Sequence, residues 1–286
     1  MSEHPPSSTN YGALYEHIES SIDNLLVGAV PSSSIRVFLT QDHSTPAYIR
    51  NTSCYAASLV GQLTALSPWN STGVYQMAGV LISPRHVLFA THYAPTAGTS
   101  LRFVTTENVV VSRVLSSIVA IPSIASLYPD FTVGLLDSDV PSSISFAKVL
   151  GAEAQAKLPD DWLTKPLPAI TADQEEKLTV RDWINYAWSQ GTNAAPCGFV
   201  QPGLPPYTEN TPLRGPFYEG LVSGDSGSPS FVFINGQLVL LTVITGGGSG
   251  TGTAITPFIT EINAAMTTLG GGYQLTPVDL SSFPDL

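Results

Sequence analysis

The segment best suited to chemistry is Gly224-Asp225-Ser226-Gly227-Ser228-Pro229, followed directly by the apolar run Ser230-Phe231-Val232-Phe233-Ile234. A serine alcohol is a poor nucleophile near neutral pH. It needs a base within hydrogen-bond reach and donors for the oxyanion its attack creates. Small residues on both sides of Ser226 admit a substrate carbonyl and leave backbone N–H groups free to point into the same space. Gly, Asp, Ser and Pro also make an ordinary tight turn, so the motif acquires catalytic meaning only if a base can be found for it.

The sequence offers five histidines: His4, His17, His43, His86 and His92. His4 lies in a polar start, His17 falls on an amphipathic N-terminal stretch, and His43 sits in a Gln-Asp-His-Ser-Thr loop. His86 and His92 share the run from Gly79 to His92, which reads as a hairpin: one strand ends at Ser83-Pro84, and a second delivers His92 at its end. His86, beside Arg85 in the turn, reads as a solvated loop histidine. His92 follows a buried apolar strand and the small pair Ala90-Thr91, which favours a fixed position. An imidazole base needs an acceptor to hold its tautomer. The candidate is Asp130, which opens the apolar strand Phe131-Thr132-Val133-Gly134-Leu135-Leu136, although it could equally just end a Tyr-Pro-Asp turn. Asp137 and Asp139 lie past that strand.

Order along the chain discriminates among hydrolases. The α/β-hydrolase order places a histidine last, yet none follows His92, and the final glycine of Gly-x-Ser-x-Gly is missing. The subtilisin order would need Asp23 or Asp42 as the acid, and neither opens a suitable strand. No His-Glu-x-x-His zinc motif and no phosphate-binding Walker loop occur. The order His92, Asp130, Ser226 remains, with gaps of 38 and 96 residues.

In these three motifs, their order and their gaps, the sequence resembles the chymotrypsin-like (trypsin-fold) serine proteases over roughly residues 50–270. Departures are Phe89-Ala90-Thr91-His92 where the family has Thr-Ala-Ala-His, and Tyr93 where a cysteine usually follows; residues 155–215 offer little to compare. The resemblance implies two six-stranded antiparallel barrels with the site in the crevice between them. Ser226 would be the nucleophile, His92 the base and Asp130 its orienting acid, with the N–H groups of Gly224 and Ser226 forming the oxyanion hole. Thr245 would hydrogen-bond the triad acid and line the groove, while Gly246 and Gly247 would leave an open wall for an extended substrate. Gly220 would be the floor of the primary specificity pocket and Gly252 would line it. With no carboxylate there, an apolar or neutral residue is expected on the acyl side of the cleaved bond (P1), unless a one-residue slip brings in Glu219. Asp225, beside the oxyanion hole, needs a partner. No Ile-Val-Gly-Gly-like start follows a basic cleavage site, so an internal basic side chain, one of the 11 Lys and Arg, is expected as the partner. No metal or organic cofactor is implied, and the expected partner is a protein or peptide substrate. The competing reading is a protease-like binding protein that has lost catalysis. A related esterase or transferase using the same nucleophile is the third.

The elements that must position these residues read as mostly β. Leu14, Ile18, Ile22 and Leu25 make residues 11–26 an amphipathic helix, a candidate pro-segment or packing appendage within an N-terminal extension of residues 1–33. Strand-like runs follow at 35–40, 54–66, 74–82, 86–91, 101–105, 108–120 and 131–136; such runs fit sandwich and barrel alike, and it is the resemblance that implies a first barrel within 34–140 and a second after it. A linker spans 138–143. A second series, from 144 through 177–184, 197–200, 229–234, 238–245 and 252–256, belongs to a second barrel within 141–286. Pro257 then opens a terminal helix over 257–269. The fold class is therefore all-β.

Composition sets the outer limits. Of 286 residues, Asp and Glu supply 22 and Lys and Arg 11, a net charge of −11, which lacks the basic footprint nucleic-acid binding needs. No run of about 18 apolar residues exists to span a membrane. The first 25 residues show no secretory signal. The low Lys and Arg content nonetheless fits an enzyme living among proteases, so a secreted or extracellular protein is expected, its signal peptide outside this sequence; an intracellular location and any oligomeric state stay open. Two cysteines, Cys54 and Cys197, permit at most one bridge. Asn51-Thr-Ser53 and Asn70-Ser-Thr72 fit the glycosylation sequon.

Overall fold

A computed structural model describes residues 11–42, 47–67, 79–122, 129–159, 166–190, 195–205 and 211–286. His4, His43, Asn70 and part of the expected 74–82 strand lie outside the described residues. A hairpin comes first, β1 (Phe38–Asp42) with β2 (Ala47–Arg50). The first barrel comprises β3 (Leu66–Ser67), β4 (Gly79–Leu81), β5 (His86–Ala90), β6 (Ser100–Val104), β7 (Val110–Ala120) and β8 (Phe131–Leu136), in the antiparallel order β3-β4-β5-β8-β7-β6. Its two edge strands, β3 and β6, lie beside each other, so it is nearly closed.

After β9 (Lys148–Val149) come β10 (Leu167–Ala172), β11 (Leu178–Tyr186), β12 (Pro196–Val200), β13 (Pro229–Ile234), β14 (Gln237–Gly246) and β15 (Thr251–Thr253). They run β13-β10-β11-β12-β15-β14, and β14 pairs back onto β13 to close the second barrel. The short β9 adds in parallel to β14. Two six-stranded antiparallel barrels thus make up most of the chain, an architecture consistent with the trypsin-like double barrel. Closure removes free strand edges and buries every residue of β5, β10 and β13.

The terminal helix Ile259–Leu269, after a single 3-10 turn at Thr256–Phe258, leaves the second barrel to pack on β7 and β8 of the first. Phe258 meets Phe131 edge to face at 6.3 Å, which anchors the start of β8.

Two expectations need correction. Residues 54–66 are not a strand: turns, a 3-10 turn at Ala57–Leu59 and one helical turn at Val60–Leu63 fill this stretch until β3 begins. An apolar run that buries only part of its side chains fits either state, and tertiary packing decided. The hairpin β1–β2 and the strand β10, whose Leu-Pro-Ala-Ile-Thr-Ala run contains a proline, were not expected as separate elements.

The N-terminal helix is Ala13–Leu26, and it packs on β10 and β13 of the second barrel with Leu14, Tyr15, Ile18, Ile22 and Leu26 buried. Across this interface Arg214, wholly buried, donates to both Asp23 carboxylate oxygens at 2.7 Å, to Glu19 at 3.1 Å and to Asp182 at 3.3 Å. One guanidinium thus faces three carboxylates. Burial pushes the Asp182 carboxyl up to about 7 against the pull of Arg214, with Asp23 and Glu19 adding to the rise.

Candidate active site

The first-barrel half of the site is set by the register of β5 against β8. Ala90 pairs with Phe131, so the residues just past each strand end, Thr91-His92 and Asp130, emerge side by side. The Thr91 N–H donates to the Asp130 carbonyl at 3.0 Å, and the Thr132 hydroxyl donates to that of Thr91 at 2.9 Å. The Asp130 carboxylate then holds His92 twice: Oδ1 accepts the His92 backbone N–H at 3.0 Å, and Oδ2 meets the ring at Nδ1. Two contacts to one carboxylate orient the imidazole and place its proton on Nδ1, leaving Nε2 as the acceptor.

The second-barrel half is the bend before β13. Gly224 and Gly227 take φ of 106° and 86°, values an L side chain rarely adopts. The Gly227 N–H donates to the Ile244 carbonyl at 2.8 Å, and the Ile244 N–H to the Ser228 carbonyl at 2.8 Å, tying the bend to β14. Ser226 is presented between them, its hydroxyl 2.8 Å from His92 Nε2. Side chains 134 and 38 residues apart therefore form one hydrogen-bonded chain from alcohol to imidazole to carboxylate. Among the described residues the N–H groups of Gly224 and Ser226 have no acceptor. They remain available to an oxyanion.

Asp225 is buried, and its direct partners are backbone amides: Oδ2 accepts the Val222 N–H at 2.7 Å and Oδ1 the Gln174 N–H at 3.2 Å. In place of the expected internal cation, Asp225 is thus held by backbone amides of Val222 and of the tight turn between β10 and β11, donors that carry no charge for a sequence reading to find. Arg181, wholly buried, lies within electrostatic reach of Asp225 and of Asp173. Burial, reinforced by the Asp225 charge and opposed by the Lys177 N–H, pushes the Asp173 carboxyl up to about 6. Gln174 also lies against Gly224, where a Cβ would come within 2.5 Å of its Oε1.

Other expected residues fall differently. The Thr245 hydroxyl donates to the Thr251 carbonyl at 3.3 Å instead of to Asp130. Gly246 pairs with Thr251 within the sheet, whereas Gly247 lies beside the Leu221 carbonyl. Gly252 owes its size to packing, since a Cβ there would lie 2.2 Å from Thr242 Oγ1. Gly220 borders Tyr218 and the Gly248 carbonyl. Glu219 is held by Lys177 at 2.6 Å, so its charge is already engaged. His86 is buried, contrary to its reading as a solvated histidine: its Nδ1 lies 2.8 Å from Ser83 Oγ, and burial lowers its pKa. Register explains the error, because β5 starts at His86 itself. The sequon residue Asn51 is also buried, its amide donating to the Ser33 and Arg36 carbonyls. Cys54 and Cys197 are both free and buried. Among the described residues no three His, Cys, Asp or Glu side chains are grouped to hold a metal ion, and no helix is long and apolar enough to cross a membrane.

No protein-family model matches the chain, and no curated protein matches it.

Proposed function

We propose that this chain is a serine endopeptidase that hydrolyses peptide bonds through an acyl-enzyme intermediate. The observation that carries the reading is the unbroken hydrogen-bonded chain from Ser226 through His92 to Asp130, beside two N–H groups, of Gly224 and Ser226, that meet no acceptor among the described residues. In this mechanism Ser226 Oγ attacks the scissile carbonyl while His92 Nε2 takes its proton. The carbonyl oxygen becomes an anion facing the Gly224 and Ser226 N–H groups. His92 then gives the proton to the departing amine nitrogen as the C–N bond breaks. Water attacks the ester by the same route in reverse, releasing the acid and restoring Ser226. Asp130 holds the imidazole in place and stabilises the transient imidazolium.

The oxyanion donors are held open because Asp225, one residue from the nucleophile, is fastened through Val222 and Gln174. That bracing favours a working enzyme over a binding protein with a collapsed oxyanion hole. Extracellular action among other proteins is part of the same proposal, resting on the low Lys and Arg content. The test is a fluorophosphonate probe together with a mixed peptide library. Ser226 should label, and Ser226→Ala and His92→Ala should each lower kcat by about 10⁴- to 10⁶-fold. Labelling that survives His92→Ala, or cleavage of esters but never of peptides, would contradict the proposal.

A further inference from the structure

Resting on that reading, the geometry points to a primary pocket closed just beyond the nucleophile, and hence to cleavage after small, uncharged residues. Two segments flank Ser226: Leu221–Gly224, which leads into it, and Thr245–Gly248, which continues β14. They come together at a short bridge. The Leu221 N–H donates to the Gly248 carbonyl at 2.8 Å, and the Gly248 N–H returns the bond to the Leu221 carbonyl at 3.1 Å. Residues that exchange both bonds stand about 5.5 Å apart at Cα. A side chain lying between two such walls needs about 7 Å, twice the contact distance of carbon atoms. At that level the two segments are bonded to each other, so no side chain passes between them.

The space behind the bridge is filled as well. A Cβ built at Gly250 would meet Leu221 Cδ1 at 3.0 Å, Ile244 Cδ1 at 3.2 Å and Phe199 Cδ2 at 3.7 Å, so three apolar side chains converge on one point. Leu221 itself is buried. Nor can the walls part easily. Arg181 donates to the carbonyl of Glu219, two residues before the first segment, and to that of Ser249, one residue after the second, both at 2.8 Å, and so ties their outer ends together. That buried cation also opposes a basic side chain entering from above. The sequence suggested an apolar or neutral P1 residue from the absence of a carboxylate; the bridge narrows this to alanine-sized side chains, excluding phenylalanine and leucine.

The experiment uses the full chain and peptides that differ only at P1, with active sites counted by fluorophosphonate. Alanine at P1 should exceed phenylalanine and lysine in kcat/KM by about 50-fold or more. Leu221→Ala, which removes the filling behind the bridge but keeps the backbone bonds that close it, should leave the leucine-to-alanine ratio within about twofold of the parent. Because ratios are read, partial misfolding of the variant does not affect the result. A labelled enzyme that prefers phenylalanine or leucine, or a Leu221→Ala ratio about tenfold above that of the parent, overturns closure by the bridge while leaving the protease reading intact. An unlabelled Ser226 with no cleavage of any peptide overturns both.

Discussion

Ser226 and its neighbours show how little side-chain bulk this site tolerates. Gly224 combines a φ of 106° with a Cβ position 2.5 Å from the Gln174 amide. Gln174 can swing aside, but an alanine cannot take this backbone conformation without strain of about 1–3 kcal/mol. The strain would relax by rotating the peptide that carries the Gly224 N–H. Under the proposed endopeptidase activity, Gly224→Ala should therefore lower kcat by about 10²- to 10³-fold, the size of a lost oxyanion donor, with KM nearly unchanged. Steady-state kinetics on one peptide decides it, and an unchanged kcat would remove Gly224 from the oxyanion hole. The sequence pointed to Gly224, Asp225 and Ser226 because glycine and serine types at this spacing are distinctive. It could not point to Gln174, which contributes a backbone N–H, a group every residue but proline carries.

The N-terminal helix is fastened by one buried face and one buried cation. Its apolar spacing was legible at Leu14, Ile18 and Ile22, but its docking partner was not, since Arg214 lies 191 residues from Asp23. Removing that guanidinium would leave Glu19, Asp23 and Asp182 facing one another without a counter-charge. Breaking a buried ion pair from one side costs about 3–5 kcal/mol. Arg214→Met should destabilise the protein by that amount in urea unfolding, and a loss under about 1 kcal/mol would mean that water or other donors already satisfy the carboxylates. Similar reasoning covers the stretch 54–66. Its composition allowed a strand, yet it became turns and short helical pieces, because β3 needed only Leu66 and Ser67 to complete the first barrel.

Two buried acids give the folded molecule a pH signature. Burial raises the Asp182 carboxyl to about 7 and the Asp173 carboxyl to about 6, from the ordinary aspartate value of 3.8. Raised carboxyl pKa values mean that the folded state holds protons the unfolded chain has already released. The stabilisation from these two groups is complete below about pH 4 and is lost as pH rises through 6 and 7. His17 and His86, whose pKa values burial lowers, act in the opposite sense below pH 6.5. Asp182→Asn isolates the acid: between pH 5.5 and 8 the parent should lose roughly 1–3 kcal/mol more than the variant. Denaturant midpoints at the two pH values provide the measurement. Parallel slopes would show that Asp182 is already ionised in the fold.

The sequence by itself determined the all-β character, the two series of strands, the helix at each end and the three residues whose types and order suit nucleophilic catalysis. These are properties of local periodicity, of composition and of a set of histidines small enough to search. The tertiary structure decided which contacts those residues make: the register that puts His92 beside Asp130, the amides that hold Asp225, the bond that takes Thr245 away from the acid, and the Leu221–Gly248 bridge. Each depends on backbone groups or on side chains far apart in the chain, whose meeting is set by barrel closure and burial. Backbone donors and acceptors are the same at nearly every position, so no pattern of residue types could have announced them.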